Sequence, residues 1–321
     1  MKIFNNINEY KSGSQGSAVA IGNFDGVHRG HQFILSTMLR EAAREDLTSV
    51  VLTFNPHPIE FHQPHINFQY ITSMPQKLRV LENLGVEDTI VLPYTAQLSQ
   101  MNAEEFVSQI LVRVLQAKVV VVGPDFTFGK SRSGDVSTLE ILGKKYGFKV
   151  VTPQDLMMPT LNGEPRRFSS TWVREAMADG NIEEVTRLLG RYHVVEGEVV
   201  HGAARGRELG FPTANLSYNT EGLIPADGVY AGWLEVDYEK YPVAISVGTN
   251  PTFKGLENRQ VEAHVINRPV EDIEEFNLYG KHARIEFVDH LRGMVAYTGV
   301  RTLIEQMQDD IAMTERILRE N

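Results

Sequence analysis

The chain has 321 residues, enough for about two domains at ~150 residues each. Its composition, 42% hydrophobic and 22% charged, excludes a disordered, collagen-like or heptad-dominated polypeptide. A formal net charge of −10 repels a polyphosphate backbone, and the lack of cysteine removes disulfides, thiolate metal sites, iron–sulfur clusters and thiol nucleophiles together.

The N-terminal stretch MKIFNNINEYK turns polar after Phe4, and no run of about 18 apolar residues occurs. These features lead to the expectation of a cytoplasmic protein with no membrane segment and no nucleic-acid partner. From residue 17 onward, short runs apolar on both faces alternate with amphipathic stretches. The runs are SAVAIG (17 to 22), SVVLTF (49 to 54), TIVLPY (89 to 94), KVVVVG (118 to 123) and KVVTP (149 to 153). Strands of this kind suit a doubly wound parallel sheet covered by helices on both sides. Helix starts lie at Ser73, and at Asn102 with Glu105 three residues on, a capping box. In such a sheet ligands bind beyond the C-terminal strand ends, so the loops after Ile21, Phe54 and Val122 are where chemistry is expected.

Near residue 180 the rhythm changes. Gly180 stops one helix, Asn181 and Glu184 cap the next, and from Tyr192 the chain reads as short alternating strands: 192 to 200, 228 to 236, 241 to 248, 259 to 267 and 282 to 289. Frequent turn residues between them favour an antiparallel barrel or sandwich. A last helix spans roughly Val300 to Arg319, with Leu303, Met307, Ile311, Ile317 and Leu318 available for one face. The reading is two domains, residues 1–185 and 186–321, both net acidic.

The densest signal is IGNFDGVHRGH, residues 21 to 31, where the first strand hands over to the first helix. Gly22, Gly26 and Gly30 are read as a phosphate-binding turn, because glycines let the backbone approach a phosphate and a helix start offers it free N–H groups; the family resemblance given below extends the ATP site to Asn23, Phe24 and Asp25 between them. His28 and His31, three apart, share one side of a helical turn and can stabilise charge growing on phosphorus. This points to adenylyl transfer; a plain turn with two surface histidines is the bland alternative. The loop GPDFTFGKS (123 to 131) mimics a P-loop but has five residues between Gly123 and Gly129 where that motif needs four. Its Asp125, Phe126 and Phe128 either line a nucleotide or ring pocket or pack as an ordinary loop. RRFSSTWVRE (166 to 175) offers Arg167, Ser170, Thr171 and Arg174 for an anionic tail, or simply a capped helix with solvated arginines. NPHP (55 to 58), His62 and His65 read as a connector with solvated histidines.

HGAARGRELGFPTAN (201 to 215) places Gly202, Arg205, Gly206 and Gly210 in a flap suited to phosphates, followed by Pro212. Thr213 and Asn215, two apart on a strand, face the same way and offer neutral oxygens to ATP-bound magnesium. Phosphorylation of an alcohol needs a proton acceptor, for which Glu262 in RQVEAHV qualifies, although a solvent-facing strand residue would look the same.

GNFDGVHRGH, GPDFTFGKSRSGD, RRFSSTWVRE, GFPTAN after its glycine-rich flap, PADGVYAGW, VGTNPTF and LYG occur in one order over essentially the full length. In this the chain resembles the prokaryotic bifunctional riboflavin kinase/FMN adenylyltransferase (FAD synthetase) family. The resemblance implies a nucleotidyltransferase-type α/β domain that adenylylates FMN and a six-stranded β-barrel that phosphorylates riboflavin. It further implies His28 and His31 at the ATP phosphates, with Arg167, Ser170, Thr171 and Arg174 in the same site. Thr213 and Asn215 fall at magnesium and ATP, Glu262 is the catalytic base, and Arg292 is assigned to the flavin. Riboflavin, FMN, FAD and ATP are the ligands implied, with Mg2+ and with self-association left open. Three positions depart from the family pattern: Asp125 where some members carry Asn, Trp172 where Arg or Tyr is common, and LRGMVAYTG (291 to 299). The competing readings are a chain with one module inactive, a flavin-sensing or RNA-binding regulator, and a tRNA synthetase, the last disfavoured by the missing KMSKS.

Overall fold

A computed structural model describes residues 1–160, 162–202, 211, 213–249, 259–267, 276–295 and 299–320. Two compact units form: Met1–Tyr70 with Met74–Ser169, and Ile71–Ser73 with Ser170–Asn321.

The first unit holds strands β1 (Lys2–Phe4), β2 (Ser17–Ile21), β3 (Thr48–Asn55), β4 (Asp88–Pro93), β5 (Ala117–Val121) and β6 (Lys149–Val151). They form one sheet in the order β1-β4-β3-β2-β5-β6, and every neighbouring pair is parallel. Its main helices are α1 (Arg29–Glu45), α2 (Pro58–His62), α3 (Met74–Asn83), α4 (Ala96–Gln100), α5 (Ala103–Phe106) and α6 (Val136–Tyr146). The alternation of the strands sorts the core into two layers. Ala18 and Ala20 of β2 join Leu35, Met38 and Leu81 on one face, while Val19 and Ile21 join Leu111 and Leu139 on the other. The Asn102–Glu105 capping box forms as expected and starts α5, but the run beyond it, Val107–Val114, continues as a π-helix. Sequence periodicity missed β1 and the hairpin of β7 (Met157–Pro159) and β8 (Pro165–Arg167), whose three-residue strands are too short to show a period. The chain runs outward from β2 to β3 and β4 and then returns to β5 on β2's other side. The loops after β2 and β5 therefore meet at the point where the strand order reverses, the place such sheets keep for ligands.

The second unit begins with α7 (Ser170–Ala178) and α8 (Ile182–Leu189), followed by β9 (His193–Val200), β10 (Thr213–Leu216), β11 (Gly228–Val236), β12 (Glu239–Thr249), β13 (Arg259–Val265), β14 (His282–Arg292) and α9 (Val300–Glu320). The strands close into an antiparallel barrel in the order β10-β13-β12-β11-β14-β9. Gly232 permits the closure: a Cβ there would stand 2.1 Å from the Glu286 carbonyl oxygen, where β11 and β14 shift register.

Packing divides the chain at Ser169/Ser170, earlier than the expected domain boundary at 185/186. The reason is that α8 turns Ile182, Val185, Leu188 and Leu189 inward and lies against β14 and β9. Trp172 on α7 is 2% exposed, so it is a core residue and offers no face to a flavin. On α9 the buried positions are Asp310, Thr314 and Leu318, which puts two polar residues at the centre of a face expected to be aliphatic.

Candidate active sites

In the first unit the chain leaves β2 through a turn with three left-handed residues, Phe24, Gly26 and Val27. A left-handed conformation is costly for a β-branched residue such as Val27, so the surroundings must hold it. Phe24, Asp25, Val27 and His28 are all buried. Two hydrogen bonds converge on the Asn23 carbonyl oxygen, from Thr53 Oγ1 at 3.2 Å and Lys77 Nζ at 2.7 Å. Gln32 Nε2 donates to the Val27 carbonyl at 2.8 Å. The expected helix start is real: His28 caps α1 by accepting the His31 backbone N–H at Nδ1, 3.3 Å away.

The three-residue spacing brings the two imidazoles together as stacked rings, with centroids 3.7 Å apart and planes inclined at 20°. Burial above all, then the neighbouring His28 and Lys77, pushes the His31 pKa well below the ordinary imidazole value. The shift favours the neutral ring, which can donate one N–H. Gly30 is required by close packing: a Cβ would meet Phe168 at 3.0 Å and the His28 ring at 3.1 Å. Gly22 likewise lies under the Phe24 ring. His31 Nδ1 and Asn23 Oδ1 are buried with no hydrogen-bond partner among the described residues. Native proteins seldom leave such atoms unsatisfied unless a ligand or water completes them.

The loop after β5 separates its expected residues. Phe126 and Phe128 stack at 5.4 Å and both pack on the sheet's core, Phe128 more deeply, which favours the loop-packing alternative for Phe128. Asp125 is exposed and pairs with Arg167 at 2.9 Å, and Arg167 also meets Asp155 at 3.5 Å. Ser170, Thr171 and Arg174 belong to α7 in the second unit. Past β3, His57 caps α2 and stacks on Phe68 at 4.4 Å. No group of three or more potential metal-ligating side chains occurs among the described residues.

In the second unit, β10 and β13 run antiparallel with Asn215 opposite Glu262. Thr213 Oγ1 donates to Glu262 Oε2 at 3.5 Å, and Asn215 Nδ2 donates to Thr213 Oγ1 at 3.1 Å. Asn215 Oδ1 accepts from Gln260 at 3.3 Å. Burial raises the Glu262 pKa, partly offset by the Thr213 hydrogen bond. A Cβ at Gly202 would stand 2.5 Å from the Asn215 side chain, so only glycine allows that approach. Arg205, Gly206, Gly210 and Pro212 lie outside the described residues. The hard, neutral oxygens of Thr213 and Asn215 beside one carboxylate fit a magnesium ion carried by ATP. Arg292, assigned to the flavin on the resemblance, forms an ion pair with Asp310 of α9.

Two known families match successive stretches of the chain. Residues 10–171 match the FAD synthetase family and residues 189–318 match riboflavin kinase. The chain belongs to the bifunctional riboflavin kinase/FMN adenylyltransferase family. A member from Escherichia coli (strain K12) is 32% identical over 100% of this chain and 97% of its own. One from Listeria monocytogenes is 33% identical over 91% of this chain and 89% of its own. A solved Streptococcus pneumoniae structure described as a macrolide-efflux protein is 31% identical, with a TM-score of 0.85 over 98% of each chain. No helix among the described residues is long and apolar enough to cross a membrane. The chain is thus a transferase with an FAD synthetase domain and a riboflavin kinase domain, and its substrates are riboflavin, FMN and ATP.

No local pattern in the sequence marks Lys77. It lies 54 residues from Asn23, in a helix whose pattern shows only amphipathicity.

Proposed function

We propose that the two reactions run at two separate centres, with the functional boundary near residues 185/186. In the barrel, Glu262 takes the proton of the riboflavin hydroxyl as its oxygen attacks the γ-phosphorus of ATP, giving FMN and ADP. Thr213 and Asn215 would hold a magnesium ion brought by ATP, and that ion would supply charge neutralisation at the phosphates. In the first unit an FMN phosphate oxygen attacks the α-phosphorus of a second ATP, pyrophosphate leaves, and FAD forms. His28 and His31 donate to the oxygens on which charge grows, and the turn from Gly22 to Gly26 receives the triphosphate with Gly30 at the helix start.

The observation that carries this reading is the convergence of Thr213, Asn215 and Glu262, since a hydroxyl, an amide and a half-buried carboxylate on adjacent strands are what alcohol phosphorylation requires. Arg167, Ser170, Thr171 and Arg174 keep their adenylylation role on the family resemblance alone. The consumption of ATP in both steps supports a cytoplasmic site of action. Purified protein given riboflavin, ATP and magnesium should form FMN first and FAD later, and chelation should stop both. FMN that accumulates without FAD would remove the first centre from the scheme, and flavin binding without ATP consumption would make the protein a sensor.

A further inference from the structure

Lys77 has no part in the chemistry described above, yet it is among the most deeply buried charged side chains of the first unit, at 2% exposure. Burying an ammonium is costly unless its donors are used. It enters from α3 beneath the β2–α1 turn and donates to the Asn23 carbonyl at 2.7 Å. That carbonyl immediately precedes the left-handed Phe24, and Phe24 packs edge-on against His31 at 5.4 Å. One residue further on, Asp25 supplies the opposing charge. The ammonium therefore ties α3 to the one segment that carries both imidazoles.

We propose that Lys77 is a positioning residue for adenylyl transfer: its ammonium holds the Asn23–Val27 turn in the strained shape that sets His28 and His31 against the reacting phosphate. This rests on the assignment of adenylylation to the paired histidines. The ammonium has a second effect on the same ring. Around His31 the charged or titratable neighbours are His28 from the start of α1 and Lys77 from α3. Asp25 of the turn faces Lys77, and Tyr70, hydrogen-bonded to Glu60, faces Asp25. Because Lys77 helps keep His31 uncharged, its removal lets the ring protonate at higher pH.

The test uses the full chain and compares wild type, Lys77→Met and Lys77→Arg, with riboflavin phosphorylation by the same preparation as the control for folding. Lys77→Met should lower kcat for FAD formation from FMN by roughly tenfold or more, as expected for misplaced catalytic groups. The acid limb of its pH profile should move up, and FMN formation should stay at the wild-type level. Lys77→Arg, which keeps charge and donor, should recover most of the loss. Lys77→Met with kcat within about twofold of wild type would overturn the proposal, and so would a fall in kcat with an unmoved acid limb. If Lys77→Met does not fold, titration of the His31 ring by NMR in the wild type decides: a ring that charges near the ordinary imidazole value refutes the coupling. Wild-type protein that forms no FAD would instead refute the assignment of the site itself.

Discussion

Arg292 and Asp310 meet side by side, Nε to Oδ1 at 2.9 Å and Nη2 to Oδ2 at 2.7 Å, in a two-pronged ion pair that joins the last barrel strand to the C-terminal helix. Gln306 adds a third donor to Asp310 at 3.1 Å, and the Thr314 hydroxyl donates to the Asp310 carbonyl at 2.8 Å. Asp310 is buried, whereas about a fifth of the Arg292 side chain stays in water. Removing one charge of such a pair strands the other. Asp310→Asn should therefore destabilise the barrel unit by roughly 3 kcal/mol, the low end for breaking a buried pair. Denaturant melts followed by fluorescence would show it. A midpoint equal to wild type would mean that the helix is held by its apolar contacts alone.

For the kinase centre, Glu262→Gln should lower FMN formation by roughly 10²–10⁴-fold, the usual contribution of a positioned base, and leave FAD formation from supplied FMN intact. Glu262 works only when ionised. Since burial raises its pKa, FMN formation should rise with pH through a limb above the ordinary carboxylate range. Equal loss of both activities in folded protein would contradict separate centres.

For the adenylylation centre, His28→Ala should reduce FAD formation by about 10²-fold, the scale of losing one donor to a developing charge, with FMN formation spared. The same change deletes the side-chain cap of α1, at about 1 kcal/mol. A melting shift without a loss of FAD formation would reduce His28 to a helix cap.

Stability should also fall in acid because of His193. The ring is buried, its Nε2 is 2.7 Å from the Leu223 carbonyl oxygen, and burial is the main cause that lowers its pKa from 6.5 to about 4. Between those values the unfolded chain binds a proton that the folded chain refuses, so stability declines as pH drops from 6.5 toward 4. The full effect is roughly 3 kcal/mol at ~1.4 kcal/mol per pH unit. His193→Gln should flatten this part of the stability profile in pH-dependent melts, and an unchanged slope would assign the acid sensitivity to carboxylates.

The sequence by itself determined whatever depends on neighbours a few residues apart. Capping at Asn102 and Asn181, the pairing of His28 with His31, and the apolar strands β2 to β5 follow from helical and strand periodicity, which local sterics and hydrogen bonding fix. Tertiary structure alone decided which distant residues meet. Thr213 and Glu262 are 49 residues apart and meet only because the barrel closes with Asn215 opposite Glu262. Lys77 reaches Asn23 only because α3 packs on the turn after β2. The same limit explains Trp172, whose place on a helix was readable while the face it buries was not, and the pairing of Arg292 with Asp310, a partner 18 residues away on α9. Burial and long-range pairing depend on how whole elements pack, and a periodic pattern along one segment does not name its partner.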